Sequence, residues 1–81
     1  MKLKYKIGSI IEYDVGTQTN PRSRIVLVTE KSRNIKNGLP GFDAEEVRKD
    51  EKGSWKILEG KSCWGYDDQI MKVIDLKARV V

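Results

Sequence analysis

Residues 24–30, Arg-Ile-Val-Leu-Val-Thr-Glu, are β-branched in the middle apart from Leu27 and carry a charge at each end. A run like this fits a pleated strand and is too short for a free-standing helix. Ile25, Leu27 and Thr29 fall on one side, with Val26, Val28 and Glu30 on the other. Apolar residues on both faces predict a strand covered twice. Pro21 ahead of it and the Asn37-Gly38-Leu39-Pro40-Gly41 cluster behind it mark its ends. Upstream, Ile11, Tyr13 and Val15 alternate with Ile10, Glu12 and Asp14, which predicts a strand with one buried face. Residues 16–23 are polar, with both Gly and Pro, and read as a long surface loop.

Downstream, residues 34–41 read as a second loop. Phe42 and Ala44 share a face while Val47 has the opposite parity, so a bulge near Glu45-Glu46 or a change of partner is expected. Residues 43–49 also have helical propensity. Two turns of isolated helix are marginal, however, and the strand is preferred. Asp50-Glu51-Lys52-Gly53 reads as a hairpin turn, followed by a short strand in which Trp55 and Ile57 alternate with Lys56 and Leu58. Residues 59–62 then connect to a single 3₁₀-like turn over 65–69. Ile70-Met71-Lys72-Val73-Ile74 is the last strand, and residues 76–81 either extend it or fray. At the other end, Lys residues alternate with Leu3, Tyr5 and Ile7, as in a basic edge strand or a frayed arm. The expected strands lie near 9–15, 24–31, 42–48, 54–59 and 70–75.

Five short strands in this order, with two loops, a tight hairpin and a 3₁₀ turn before the last, resemble an SH3-like small barrel. That architecture is shared by SH3, Tudor and KOW-type modules. The opening Lys6-Ile7-Gly8-Ser9-Ile10-Ile11 and the turn Gly65-Tyr66-Asp67-Asp68-Gln69-Ile70 carry the likeness, which spans roughly residues 7–75. The fold it implies is all-β, a five-stranded partly open barrel in one domain. Peptide binding of the SH3 kind is not implied, because the Ala-Leu-Tyr-Asp-Tyr-like segment and the tandem Trp are absent. In its compact size the chain also resembles small uncharacterised proteins of tailed phages.

Composition narrows the chemistry. Eighty-one residues make one domain with a small core. One cysteine, Cys63, excludes an internal disulfide framework and suggests a reducing compartment. No stretch nears the roughly 20 apolar residues that span a bilayer. The first residues also lack a secretory h-region, so a soluble cytoplasmic protein with no membrane partner is expected. With no His, the commonest general base and metal ligand are missing. A lone Cys without His makes neither a papain-like nucleophile nor a zinc site. No Gly-rich phosphate loop is present. The expectation is a binding module, with no catalytic residues, no metal and no cofactor.

Two sets of residues are candidates for binding, the first for a protein partner, which is the leading expectation, and the second for nucleic acid, the alternative. Trp64 and Tyr66, with acidic Asp67 and Asp68 beside them, suit a protein partner carrying a cation, through cation–π and charge contacts. Their alternative roles are structural: the aromatics plug the barrel end, and the carboxylates cap the turn. Phe42, Trp55 and Cys63 are assigned to the core. The second set is basic. Residues 1–36 hold eight basic side chains to three acidic ones, against eight to nine in residues 37–81. If the first two loops converge, Arg22, Arg24, Arg33 and Lys36 would track a nucleic-acid backbone without sequence specificity. The aromatics expected of a single-strand binder are nearly absent from that part of the chain, where only Tyr5 and Tyr13 occur. A third route is self-association through open strand edges.

Overall fold

A computed structural model describes residues 4–77. It contains β1 (Ile10–Asp14), β2 (Ser23–Lys36), β3 (Leu39–Lys49), β4 (Trp55–Tyr66), a 3₁₀ turn (Asp67–Gln69) and β5 (Ile70–Asp75). All neighbouring strands are antiparallel, in the order β4-β3-β2-β1-β5, so the apolar run of β2 lies at the centre. The fold is all-β, and residues 43–49 are strand rather than helix.

The short link between the outermost strands decides the shape. In a flat sheet, β4 and β5 would lie four strand spacings apart, about 19 Å. The four steps from Tyr66 to Ile70 reach at most roughly 14 Å even when fully extended. The sheet is therefore rolled until its two edges approach, with no ladder joining β4 to β5. The result is a barrel-like sheet that stays partly open.

Rolling gives the sheet an inside. Ile11, Tyr13, Val26, Val28, Phe42 and Ala44 are all buried there, with Tyr5 added from ahead of β1. Phe42 is the hub: the Tyr5 ring meets it edge-on at 5.8 Å and the Tyr13 ring at 5.1 Å. Gly65 leaves room for this packing, since a Cβ there would come 2.8 Å from Phe42 Cζ. On the other face Ile10 and Val47 are also buried, while Ile25, Leu27 and Ile57 are half-buried. The twofold covering expected of β2 is present, but it is unequal.

Several boundaries differ from the sequence reading. Residues 34–41 are the tip of the β2–β3 hairpin, not a loop, turning on Asn37 (φ 57°) and Gly38 (φ 76°). Both central residues take positive φ, as a two-residue type I′ turn requires. Residues 59–62 lie inside β4, not in a connector. Glu45 pairs with Ser62 and Val47 with Ile57, so β4 holds the extra residues of a bulge, with Gly60 at φ 76°. β3 itself runs on without a break, so Val47 lies on the opposite face from Phe42 and Ala44 by plain alternation. Gly65 and Tyr66 belong to β4, which leaves only three residues in the 3₁₀ turn. Trp55 and Cys63 are half-buried rather than core, although Cys63 packs against the core cluster.

The N-terminal segment is neither an edge strand nor a frayed arm where it is described. Lys31 Nζ donates to the Tyr5 carbonyl at 2.8 Å and stands 4.2 Å above the Tyr5 ring. Gly8 N–H donates to Val28, and the Ser9 hydroxyl donates to the Leu76 carbonyl at 2.7 Å. Lys2, Leu3 and residues 78–81 of the tail lie outside the described residues. Leu76 and Lys77 form a turn and do not extend β5.

Candidate nucleic-acid interface

At one end of the rolled sheet the inner face is left uncovered. Ladder partners share a face, which carries the inner surface outward from Tyr13 to Arg24 on β2 and from Val26 to Glu46 on β3. On β4 the same surface ends at Cys63, the partner of Ala44. These side chains floor an open groove of ≈ 750 Å³. Arg22 and Arg24 line one bank, and Trp64 and Tyr66 line the other.

The aromatic bank is a built pair. Trp64 and Tyr66 stand two apart on β4, where alternate residues point the same way. Their rings meet edge to face at 5.3 Å. Trp64 keeps 43% of its surface exposed, so it does not plug the barrel. Lys36, carried round by the β2–β3 hairpin, holds its ammonium 5.2 Å from the Trp64 ring centre. At the hairpin tip, Asn37 Nδ2 donates to the Tyr66 hydroxyl at 3.4 Å. At the far end of β4, Tyr66 N–H donates to Gln69 Oε1 and Gln69 Nε2 donates to the Asp14 carbonyl, tying the strand to β1.

The predicted residues are sorted by this arrangement. Trp64, Tyr66, Arg22 and Arg24 line the groove together, and Lys36, outside the lining, reaches it only through the Trp64 ring. Arg33 does not; it lines a separate shallow pocket with Lys31 and Asp67. Asp67 accepts a hydrogen bond from the buried Tyr5 hydroxyl, and so joins the turn to the N-terminal segment. Asp68 is exposed and Asp67 half-buried, and neither lines the groove. Aromatics from outside the basic part of the sequence lie beside it in space: Trp64 and Tyr66 of β4 line the same groove as Arg22, Arg24 and Tyr13. Tyr13, Glu46 and Gln69 were missed as groove residues. They are one-residue contributions from β1, β3 and the 3₁₀ turn, and no local pattern marks them.

Electrostatically, the groove is cationic. Its charged lining is Arg22, Arg24 and Glu46, with Lys36 reaching over Trp64. Burial pushes the Cys63 thiol up and keeps it protonated at neutral pH. The Tyr13 phenol is pushed well above its usual range, first by burial and then by Cys63. Tyr5 is raised too, by burial and then by its bond to Asp67. A raised phenol stabilises the fold fully below its unfolded value of about 10 and loses that contribution as pH rises beyond it. Melts from pH 8 to 11 are therefore expected to show falling stability above about pH 10. Tyr5→Phe should flatten part of that fall, and an unchanged alkaline limb would refute the role given to Tyr5.

Among the described residues, no group of three or more His, Cys, Asp or Glu is placed to hold a metal ion. No helix among them is long and apolar enough to cross a membrane. No protein-family model, curated protein or solved structure matches the chain significantly.

Proposed function

We propose that the chain is a non-catalytic binding module, an SH3-like barrel that holds an extended anionic partner in the groove between Arg22–Arg24 and Trp64–Tyr66. The observation that carries this reading is convergence: two arginines from the start of β2 and two aromatics from β4 line one groove, and a third cation, Lys36, rests against Trp64. Such a site supplies charge attraction and flat apolar surface together, the two features typical of binding anchors. The lack of His and the raised Cys63 thiol support a role without chemistry. A cationic protein partner fits less well, because Asp67 is held by Tyr5 and neither Asp67 nor Asp68 lines the groove.

The test pairs stability with binding. Trp64→Ala is expected to cost less than about 1 kcal/mol, which is a Tm shift of roughly 4–8 °C or less. It should nevertheless weaken binding markedly. The probes are labelled heparin, poly-glutamate and a dT12 oligonucleotide, read by anisotropy at low salt. Failure of all three to bind ends this reading. A Trp64→Ala chain that no longer folds would return Trp64 to the core and end it equally.

A further inference from the structure

Resting on that reading, we infer that the occupant of the groove is single-stranded nucleic acid, with a base against Trp64 and adjacent phosphates on Arg22, Arg24 and Lys36. Binders of single strands combine a cationic groove that follows the backbone with aromatic side chains whose faces take the bases. Both halves are present here. Trp64 is 43% exposed, and the cation now resting on it, Lys36, is itself exposed. The exposure of Trp64 shows that the indole is open to solvent, and the ammonium 5.2 Å from its centre is held by cation–π attraction alone. An arriving base takes that place, and Lys36 swings to the phosphate attached to it.

The alternatives leave one half of the site idle. A duplex keeps its bases stacked inside, so it reaches the arginines but leaves Trp64 unused. An acidic peptide pairs with the arginines but offers no flat ring system to the indole. The groove, at ≈ 750 Å³, lies within the size range of sites that enclose a small ligand. It therefore takes a short stretch of strand rather than a long track. Glu46 is the one carboxylate in its lining, and its ladder partner is Val26, two residues along β2 from Arg24.

The salt dependence follows from the count of cations. Three phosphate contacts to a single strand give a slope of log K on log salt near −2, since each contributes about −0.7. Between 50 and 200 mM salt, binding of dT12 should fall roughly 20-fold. Lys36→Ala should reduce the slope by about 0.7, whereas Arg33→Ala, outside the groove, should leave it unchanged. Trp64→Ala should cost roughly 5- to 150-fold at every salt concentration without altering the slope, the signature of lost stacking. Arg22→Glu with Arg24→Glu should abolish binding in a chain that still melts cooperatively.

The decisive comparison sets dT12 against a 12-base-pair duplex, heparin and poly-glutamate. Preference for dT12, together with quenching of tryptophan emission that Trp64→Ala removes, supports the inference. Equal or tighter binding of the duplex or heparin overturns it while leaving the anionic-partner reading in place. Binding of poly-glutamate alone does the same and points to an acidic protein. Binding of none of the four removes both.

Discussion

Replacing Phe42 by alanine is expected to bring the chain to the edge of unfolding. Phe42 is fully buried, at 0% exposure, and is gripped edge-on by Tyr5 and Tyr13 with Gly65 behind it. Truncating a buried Phe costs about 3–5 kcal/mol, more where neighbours cannot close in. Here the neighbours are rings fixed from β1 and from the N-terminal segment, with the β4 backbone at Gly65 behind them, so collapse around the cavity is hindered. A domain of this size has roughly 4–12 kcal/mol in total. Urea titration by circular dichroism should therefore find most of the stability gone. A loss under about 1 kcal/mol would mean that the aromatic hub is not the centre of the core.

Gly41→Ala should be nearly as damaging, for a different reason. A Cβ on Gly41 would overlap the Gly65 carbonyl oxygen and the Ile35 Cγ2 methyl. Ile35 has rotamers with which to move, but the Gly65 carbonyl belongs to the β4 backbone. Overpacking that side chains relieve costs about 1–3 kcal/mol, and a clash with a paired strand exceeds that range. Gly60→Ala is the control. It has open space around it and meets only the left-handed penalty of about 1–2 kcal/mol. Equal midpoints for the two variants would contradict the close approach of β3 and β4. Because Tyr66 is the ladder partner of Gly41, the Gly41 variant should also disturb the aromatic bank of the groove.

How far the sequence reached depended on whether a signal was local. The inward positions Ile11, Tyr13, Val26 and Val28 follow directly from alternation, as does the turn that ends in Gly53. The second half of β2 was hidden because Ser32, Arg33, Asn34 and Lys36 are solvated and leave no apolar alternation to read. The Asn37-Gly38 pair reads as turn-forming, but its polar flanks give it the pattern of a loop. Gly60 and Gly65 mislead in the same way: both are strand residues, one at a bulge and one beneath a ring. Tyr5, among lysines, has no local mark of burial. In the site, Trp64 and Tyr66 stood out by residue type and Arg22 and Arg24 by charge. Their meeting depends on how the sheet rolls, and roll is fixed by the short 3₁₀ link between opposite edges rather than by any pattern within a strand.

The ladder between β1 and β5 has a consequence for how the chain is made. It joins residues 57 to 65 positions apart, such as Tyr13 with Ile70 and Ile10 with Asp75. The hairpins β2–β3 and β3–β4 close as soon as each has left the ribosome, but β1 is synthesised first and its outer edge stays vacant until β5 emerges. Pairings this distant slow folding toward milliseconds to seconds, because the loop must close before its contacts repay the entropy. During that interval the Ile10-Ile11 edge is a template for any other strand nearby. Nascent chains that pause before Asp75 thus expose an unpaired edge until the last six-residue strand is complete.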